Sequence, residues 1–360
     1  MNTELFLHKI ETLKKRPSAS LPALGAIQNW ILEFRDILPK QRISPVKVAT
    51  HAGLPVNLVL PEFLYGVPNG LFDLIWEVHC PHCQGIAADY QHLSKAKNKS
   101  YCEGCSVEFE ADFARWVDVT FSLNKAVDER KFAPVECPKK IADEQPHLSG
   151  LELIHYPAFR LLFGDQVLSD REPMQIAAVT TLFTDITGST EMYERLGDVV
   201  AYNVVRDHFD ILFSQIEQQG GTILKTIGDA VMASFIRNDA ALISVIKALE
   251  QFTHYNRNHD MDRHVNIKVG IHQGSAILVN LNDQLDYFGS TINKAARIQA
   301  VANSGEICFS ESVYQDKQFI HSLKELGIKD ISRHSVNLKG IEGLQTVYKA
   351  VTDFDRTVLV

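Results

Sequence analysis

No stretch of this 360-residue chain approaches the roughly 20 consecutive apolar residues that a bilayer-crossing helix needs. The opening residues, MNTELFLHKIETLKKRP, also lack the basic-then-apolar order of a secretion signal. A cytoplasmic protein with no membrane partner is therefore the expectation. Basic excess is missing too. Lys and Arg number 36 against 44 Asp and Glu, a formal charge of -8, so the attraction behind non-specific phosphate-backbone binding is absent. Nucleic acid is not the expected partner. Internal repeats and low-complexity tracts are absent as well. Apolar residues are plentiful, at 45%. At roughly 150 residues per domain that is enough to bury more than one core.

Cysteine is scarce, with six in all, and four of them form two pairs: Cys80 and Cys83 in CPHC, Cys102 and Cys105 in CEGC, with 18 residues between. Each C-x-x-C puts two thiolates on one tight turn. Two such turns close a tetrahedral shell around Zn2+ and leave no position open for catalysis, so the expected ion is structural. The rival readings are two disulfides, which a reducing cytoplasm disfavours, and a redox dithiol, which does not need two matched pairs. His79 precedes the first pair and His82 lies within it, and either is a substitute ligand or a bystander. Cys137 and Cys308 stand alone and read as idle or buried thiols.

Residues 1–66 read as helical. PALGAIQNWILEFRDIL has helical apolar spacing, and SPVKVATHAG has Ser44 as N-cap, Pro45 in the first turn and Gly53 as stop. LPVNLVLPEFLYGV resumes the helix and GLFDLIWEVHC alternates like a strand, an order that resembles a winged helix. FEADFARWVDVTFSL and LELIHYPAFRLLF read as further strands around a loop rich in proline and charge. From Gln175 the texture changes to strands and helices in alternation: a buried strand IAAVTTLF, a turn DITGST, a long helix to Gly220, two strands around IGDA, a helix near 239–258, the strand VNIKVGIHQG, a hairpin, the helix STINKAARIQAVAN, the strand GEICFS and a last hairpin to Tyr348.

Two aspartates sit where a carboxylate can leave a sheet edge: Asp185 after the apolar strand, and Asp229, 44 residues later, in the IGDA turn. Neighbouring strands would converge them on one site, suited to one or two Mg2+ bridging a triphosphate. Asp also favours turns for its own sake. With their surroundings, FTDITGST, KTIGDAVMASF, DYFGSTINKAAR and NLKGIEG, these residues resemble in order and spacing the motifs of the class III nucleotidyl cyclases, over about residues 175 to 350.

The resemblance implies an α/β catalytic domain of the α+β ferredoxin-like type over 176–355. Before it come a helical winged-helix-like segment (1–66), a β-rich zinc-ribbon-like regulatory module (67–168) and a linker (169–175). It also implies an adenylate cyclase acting on ATP as a homodimer with two equivalent sites. Asp185, Asp229 and the backbone of Ile186 would hold two Mg2+ or Mn2+ ions, Asn293 would orient the ribose, Arg297 would meet transition-state charge and Lys339 the terminal phosphates. Base choice would rest on Lys225 and Asp286. Adenine offers an acceptor at N1 and a donor at C6, which an ammonium and a carboxylate satisfy, whereas guanine presents the reverse. Guanylyl members tend to carry Glu at the first position and a small residue at the second. Two departures from the family pattern stand out. Ser189 replaces a frequent Phe, and Ser275 stands where some members place an arginine for phosphate, so phosphate binding would lean more on Lys339. The alternatives are a guanylate cyclase, a non-catalytic cyclase-like regulator, and a transcription regulator acting through the winged-helix-like segment. The last needs a basic recognition helix, and VNLVLPEFLYGV has neither Lys nor Arg.

Overall fold

A computed structural model describes residues 1–36, 42–130 and 147–352. Cys137 and the end of the expected catalytic domain beyond 352 lie outside the described residues. The chain divides into two units, Met1–Ile176 with Leu278–Asp286, and Ala177–Ile277 with Tyr287 onward.

The first unit opens with helices whose starts are set by side-chain caps. In α1 (Thr3–Lys14) the Asn2 side chain accepts from Leu5 N at 3.0 Å, and Ser20 caps α2 (Leu21–Phe34) in the same way. Ser44 caps α3 (Pro45–Ala52), which Gly53 ends in the left-handed conformation. Glu62 of α4 (Val56–Gly66) is 1% exposed, yet its carboxylate accepts from Arg16 at 2.6 Å and from Ser20 N at 2.8 Å. A buried charge needs such partners, and these fasten α4 to the α1–α2 turn. Strands β1 (Phe72–His79), β2 (Ile86–Tyr90), β3 (Lys99–Cys102), β4 (Val107–Glu110) and β5 (Val117–Leu123) follow. β1 lies between β2 and β5, antiparallel to both, while β3 and β4 form a separate hairpin. Phe63, Phe72 and Phe121 meet ring against ring and pack α4 on the sheet.

Two expected strands are corrected. LELIHYPAFRLLF forms helices α5 (Gly150–Ile154) and α6 (Pro157–Leu162). Ser149 and Glu152 make a reciprocal capping box, and Pro157 opens α6 where its missing N–H costs nothing. FEADFARWVDVTFSL is broken between β4 and β5. There the Asp112 carboxylate accepts from Ala114 N at 2.9 Å and its carbonyl from Trp116 N at 2.8 Å, which makes a turn.

The second unit is built on β6 (Met174–Ile186), α7 (Ser189–Leu196), α8 (Asp198–Gln218), β7 (Thr222–Ile227), β8 (Ala230–Phe235), α9 (Asn238–Arg257), β9 (Ile267–Leu281), β10 (Gln284–Phe288) and α10 (Ser290–Ala300), with the start of β6 to Ile176 and the stretch Leu278–Asp286 of β9 and β10 grouping with the first unit. It closes with β11 (Glu306–Ser310), α11 (Glu311–Tyr314), α12 (Lys317–Glu325), β12 (Ile331–Asn337) and β13 (Leu344–Val351). The strands make one sheet in the order β12-β13-β11-β9-β6-β8-β7, with β10 paired to β9. β9 and β11 are parallel; β6–β8, β7–β8, β11–β13 and β12–β13 are antiparallel. Alternation along the strands separates two cores. Leu182, Val231, Ala233, Ile307 and Phe309 pack with the helices α8, α9 and α12. Their strand neighbours Phe183, Met232 and Cys308 turn the other way, toward α10. Helices α7, α11 and α12 stand where the sequence reading placed turn and hairpin.

His208 of α8 is fully buried and stacks on Phe252 of α9 with ring centroids 5.6 Å apart. Burial pushes its pKa down to about 3 from 6.5. The folded state therefore holds the neutral ring, and the resulting stability is complete above pH 6.5 and drains away as pH falls from there toward 3. His208→Phe, which keeps the stack, is expected to remove about 1.4 kcal/mol per pH unit from the acid-side slope of unfolding free energy between pH 6 and 4. Denaturant titrations of both proteins across that range check it, and parallel slopes would refute the assignment.

Candidate metal and nucleotide sites

The two C-x-x-C turns are built alike. Gln84 N donates to the Cys80 carbonyl and Ser106 N to the Cys102 carbonyl, each at 2.8 Å, and Gln84 and Ser106 both adopt positive φ, 59° and 55°. The turns bring the Sγ atoms of Cys80, Cys83, Cys102 and Cys105 within 4.8 Å of one another, with Cys80–Cys105 at 4.0 Å and Cys83–Cys102 at 3.7 Å. A tetrahedral ion with metal–sulfur bonds near 2.3 Å spaces its sulfurs by about 3.8 Å, so the cluster fits a metal. A disulfide needs about 2.05 Å, and all four are free thiols. Hydrogen bonding with Cys83 and then burial push the Cys105 thiol up to about 12, the crowding that a dication would relieve. His79 is turned away from the sulfurs. Its Nδ1 meets the Gln84 carbonyl at 3.0 Å and its Nε2 lies 3.6 Å from Glu77 and 3.4 Å from Asp118. Burial opposes its charge, but those carboxylates prevail and raise its pKa to about 9. His79 is thus an imidazolium held between carboxylates, outside the thiol cluster.

In the second unit, β7 and β8 meet in a two-residue turn, Gly228–Asp229, with Ile227 opposite Ala230. Gly228 has φ 64°, the conformation a tight hairpin demands at its first central position and one that glycine adopts without strain. The turn carries Asp229 to the end of β6, where Asp229 Oδ2 accepts from Ile186 N at 3.0 Å. Asp185 is half-buried beside it, and its pKa is raised by burial and then by the Asp229 charge. Two carboxylates that repel each other across a partly buried gap form a donor set for a hard dication. Lys268 of β9 and a hydrogen bond from Gln299 of α10 draw the Asp185 pKa back down. The sequence reading missed these two residues, because a lysine inside an apolar strand carries no motif of its own.

Lys225 is half-buried on β7 opposite Met232, next to an irregularity of register at Leu224. Such bulges re-aim side chains. Asn293 and Arg297 are both exposed and lie one turn apart on α10, above the buried Thr291, Ala295 and Ile298. A Cβ on Gly274 of β9 would fall 2.6 Å from Thr291 Oγ1, and one on Gly270 would collide with the backbone of Gln299, so α10 lies directly on this strand. Lys339 is exposed in the turn between β12 and β13. Asp286 is half-buried on β10, in the stretch Leu278–Asp286 that groups with the first unit. Ser189 opens α7, and exposed Ser275 accepts a hydrogen bond from Thr291 at its carbonyl.

Residues 172–350 match the family model described as adenylate and guanylate cyclase catalytic domain, and residues 9–143 match a family of unknown function, DUF5939. An adenylate cyclase of Anabaena cylindrica is 26% identical over 323 residues, 85% of this chain and 59% of that protein. An adenylate cyclase of Mycosarcoma maydis is 30% identical over 177 residues, 43% of this chain and 7% of that protein. The receptor-type guanylate cyclase gcy-13 of Caenorhabditis elegans is 27% identical over 238 residues, 63% of this chain and 22% of that protein. The chain thus spans less than two thirds of the length of each of these relatives. Among solved structures, the adenylyl cyclase CyaB from P. aeruginosa is 22% identical, with a TM-score of 0.42 over 50% of this chain and 96% of that one. Among the described residues, no helix is long and apolar enough to cross a membrane. Residues 172–350 of this chain belong to the adenylate and guanylate cyclase catalytic domain family.

Proposed function

We propose that this chain is an adenylate cyclase that converts ATP to 3',5'-cyclic AMP and pyrophosphate, and that it works as a homodimer. The observation that carries the reading is the meeting of Asp185 and Asp229 at the ends of β6 and the β7–β8 hairpin, inside the segment that matches the cyclase family model. In the reaction the ribose 3'-oxygen bonds to the α-phosphorus, the bond from that phosphorus to the bridging oxygen of pyrophosphate breaks, and the 3'-hydroxyl proton is lost. Asp185, Asp229 and the Ile186 carbonyl would hold Mg2+ or Mn2+, which when bound lowers the pKa of the attacking hydroxyl and neutralises the triphosphate. The Ile186 carbonyl shares its peptide with the Thr187 N–H, which donates to the Asn266 carbonyl at 2.8 Å, so that peptide is held before any ion arrives.

The remaining roles belong to side chains. Asn293 orients the ribose and Arg297 meets charge on the α-phosphate as it builds, two tasks suited to neighbours one turn apart on a single helix face. Lys339 neutralises the terminal phosphates. Lys225 donates to adenine N1, and Asp286 accepts from the C6 amine. In the first unit, the four cysteines hold Zn2+ as a structural ion. A guanylate cyclase reading has one supporting observation, the likeness to the gcy-13 cyclase. Against it stands the chemistry of the base, because guanine would set its O6 acceptor against the Asp286 carboxylate.

Purified protein given ATP or GTP with Mg2+ or Mn2+ is expected to yield cyclic AMP in preference to cyclic GMP. Lys225→Glu with Asp286→Cys should lower the ATP to GTP ratio of kcat/KM by an order of magnitude or more, since unpaired polar groups discriminate at that scale; an unchanged ratio would reject these two as base readers. The dimer is tested by complementation. Asp185→Asn and Arg297→Ala chains should each be inactive alone. When mixed, about half the dimers are mixed by random exchange, and each has one intact site of two, so activity returns to roughly a quarter of wild type. Verified mixed dimers with no recovery would contradict shared sites. For the thiol cluster, metal analysis should find about one zinc per chain, and Cys80→Ser should expose the first unit to limited proteolysis, because ion binding is part of its folding free energy. A metal-free wild-type protein that resists proteolysis equally would discard the structural ion.

A further inference from the structure

Under the first turns of α10 the second unit encloses an open cavity of about 430 Å³, walled by Gln273 and Ser275 of β9, Thr291 and Lys294 of α10, Ser312 after β11, and Gln345 of β13. It opens where β11 ends beside its parallel neighbour β9, the kind of place where α/β sheets receive ligands. α10 turns 100° per residue. Thr291 therefore points well away from Asn293 and Arg297, while Lys294 stands about 60° from Arg297, on the flank of the helix between it and Thr291. None of the residues assigned to the nucleotide lines the cavity.

The polar groups of the wall can be counted. Ser312 Oγ donates to the Gln273 carbonyl at 2.8 Å, and so it accepts from Ser310 Oγ at 2.9 Å. Ser310 in turn accepts from His272 Nδ1 at 2.7 Å. This relay fixes the His272 tautomer with its proton on Nδ1 and leaves Nε2 as an acceptor. Burial, helped by the Lys294 charge, lowers the His272 pKa to about 4, so the ring is neutral at pH 7. Lys294 Nζ donates at 2.7 Å to Gln345 Oε1, a neutral partner that takes one of three N–H groups. Glu311, the carboxylate on the wall, lies 3.9 Å from Arg333 at the surface. The cavity thus presents an ammonium with donors to spare and an imidazole acceptor.

We propose that this cavity binds a small oxyanion that carries an O–H or N–H donor, the chemistry shared by hydrogen phosphate, a phosphate ester and a hydroxy acid. The anion sits on Lys294 and its donor on His272 Nε2. Its bearing on catalysis rests on the reading of α10 given above: a ligand under α10 braces the helix that presents Asn293 and Arg297. Binding itself does not depend on that reading.

The test uses the full chain and inorganic phosphate at constant ionic strength, with acetate as an anion lacking the donor. The thermal midpoint of the second unit should rise with phosphate, by about 5 °C or more at a hundredfold the dissociation constant, and rise less with acetate. Phosphate also stabilises proteins by exclusion from their surfaces, so the readout is the difference from variants. Lys294→Gln removes the charge and Ser275→Trp fills the mouth without touching it, and each should abolish the extra rise. Lys294→Arg should keep most of it, and Lys339→Ala all of it. An equal rise in wild type, Lys294→Gln and Ser275→Trp would overturn the site, as would loss in Lys339→Ala alone. Equal response to acetate would overturn the role of His272. No step requires turnover, so an inactive cyclase with a Lys294-dependent shift defeats the nucleotide reading only, and an active cyclase without the shift defeats this proposal only.

Discussion

Thr184 lies opposite Val231 where β6 runs antiparallel to β8, and this register carries Asp185 and Asp229 together just past the last pair. Side chains alternate along a strand, so a slip of one residue would turn Asp185 into the opposite core and leave Asp229 facing nothing. The slip is forbidden by what lies beside the aspartate. Leu182 and Phe183 feed different cores, and neither core could accept the other's side chain without a cavity. Packing on both faces of the sheet thus keeps two like charges near each other, a placement that electrostatics alone would undo. The mutual repulsion is tolerable because both groups are only half-buried and because Lys268 and Gln299 approach Asp185 from the adjacent strand and helix.

This arrangement also explains which parts of the molecule could be read in advance. Strands β6, β8 and β11 have apolar residues on both faces and so stand out as continuous apolar runs, and α8 and α9 are long enough to declare a helical period. The paired cysteines and the two aspartates declare themselves by spacing. Helices α5, α6, α7 and α11 are eight residues or fewer, too short for a period. Of these, α5 is set by the capping contact of Ser149 with Glu152, which is visible only once a helix is supposed, and the other three start without a side-chain cap. The positive φ at Gln84 and Ser106 was equally illegible, since neither residue type announces a left-handed turn. Lys268 and Gln299 are hidden for another reason: their contact with Asp185 joins three elements far apart in sequence.

Helix α10 sits at the centre of the second unit's chemistry because it is pressed against glycines. With Gly270 and Gly274 beneath it, the helix lies on the backbone of β9 rather than on side chains, close enough for Gln299 to reach Asp185. One rigid element then serves three purposes. It supplies Gln299 to the aspartates, presents Asn293 and Arg297 outward, and roofs the polar cavity with Thr291 and Lys294. A displacement of this helix cannot affect one of these without the others.

Charge distribution fits the proposed substrate only when it is read locally. The chain carries -8 overall, which would repel a nucleotide triphosphate at long range, but the Debye length is about 8 Å at physiological ionic strength and screens that repulsion outside the site. Within the site's own segment stand Lys225, Lys268, Arg297 and Lys339. Two aspartates without an ion would cancel part of that cationic set, and with a dication between them they add to it. The proposed binding of metal and of polyanion is therefore cooperative by simple charge balance: each makes the partly buried position of the other less costly. Neither the net charge of the chain nor any one of these residues conveys that coupling, which follows from the two carboxylates sharing a gap.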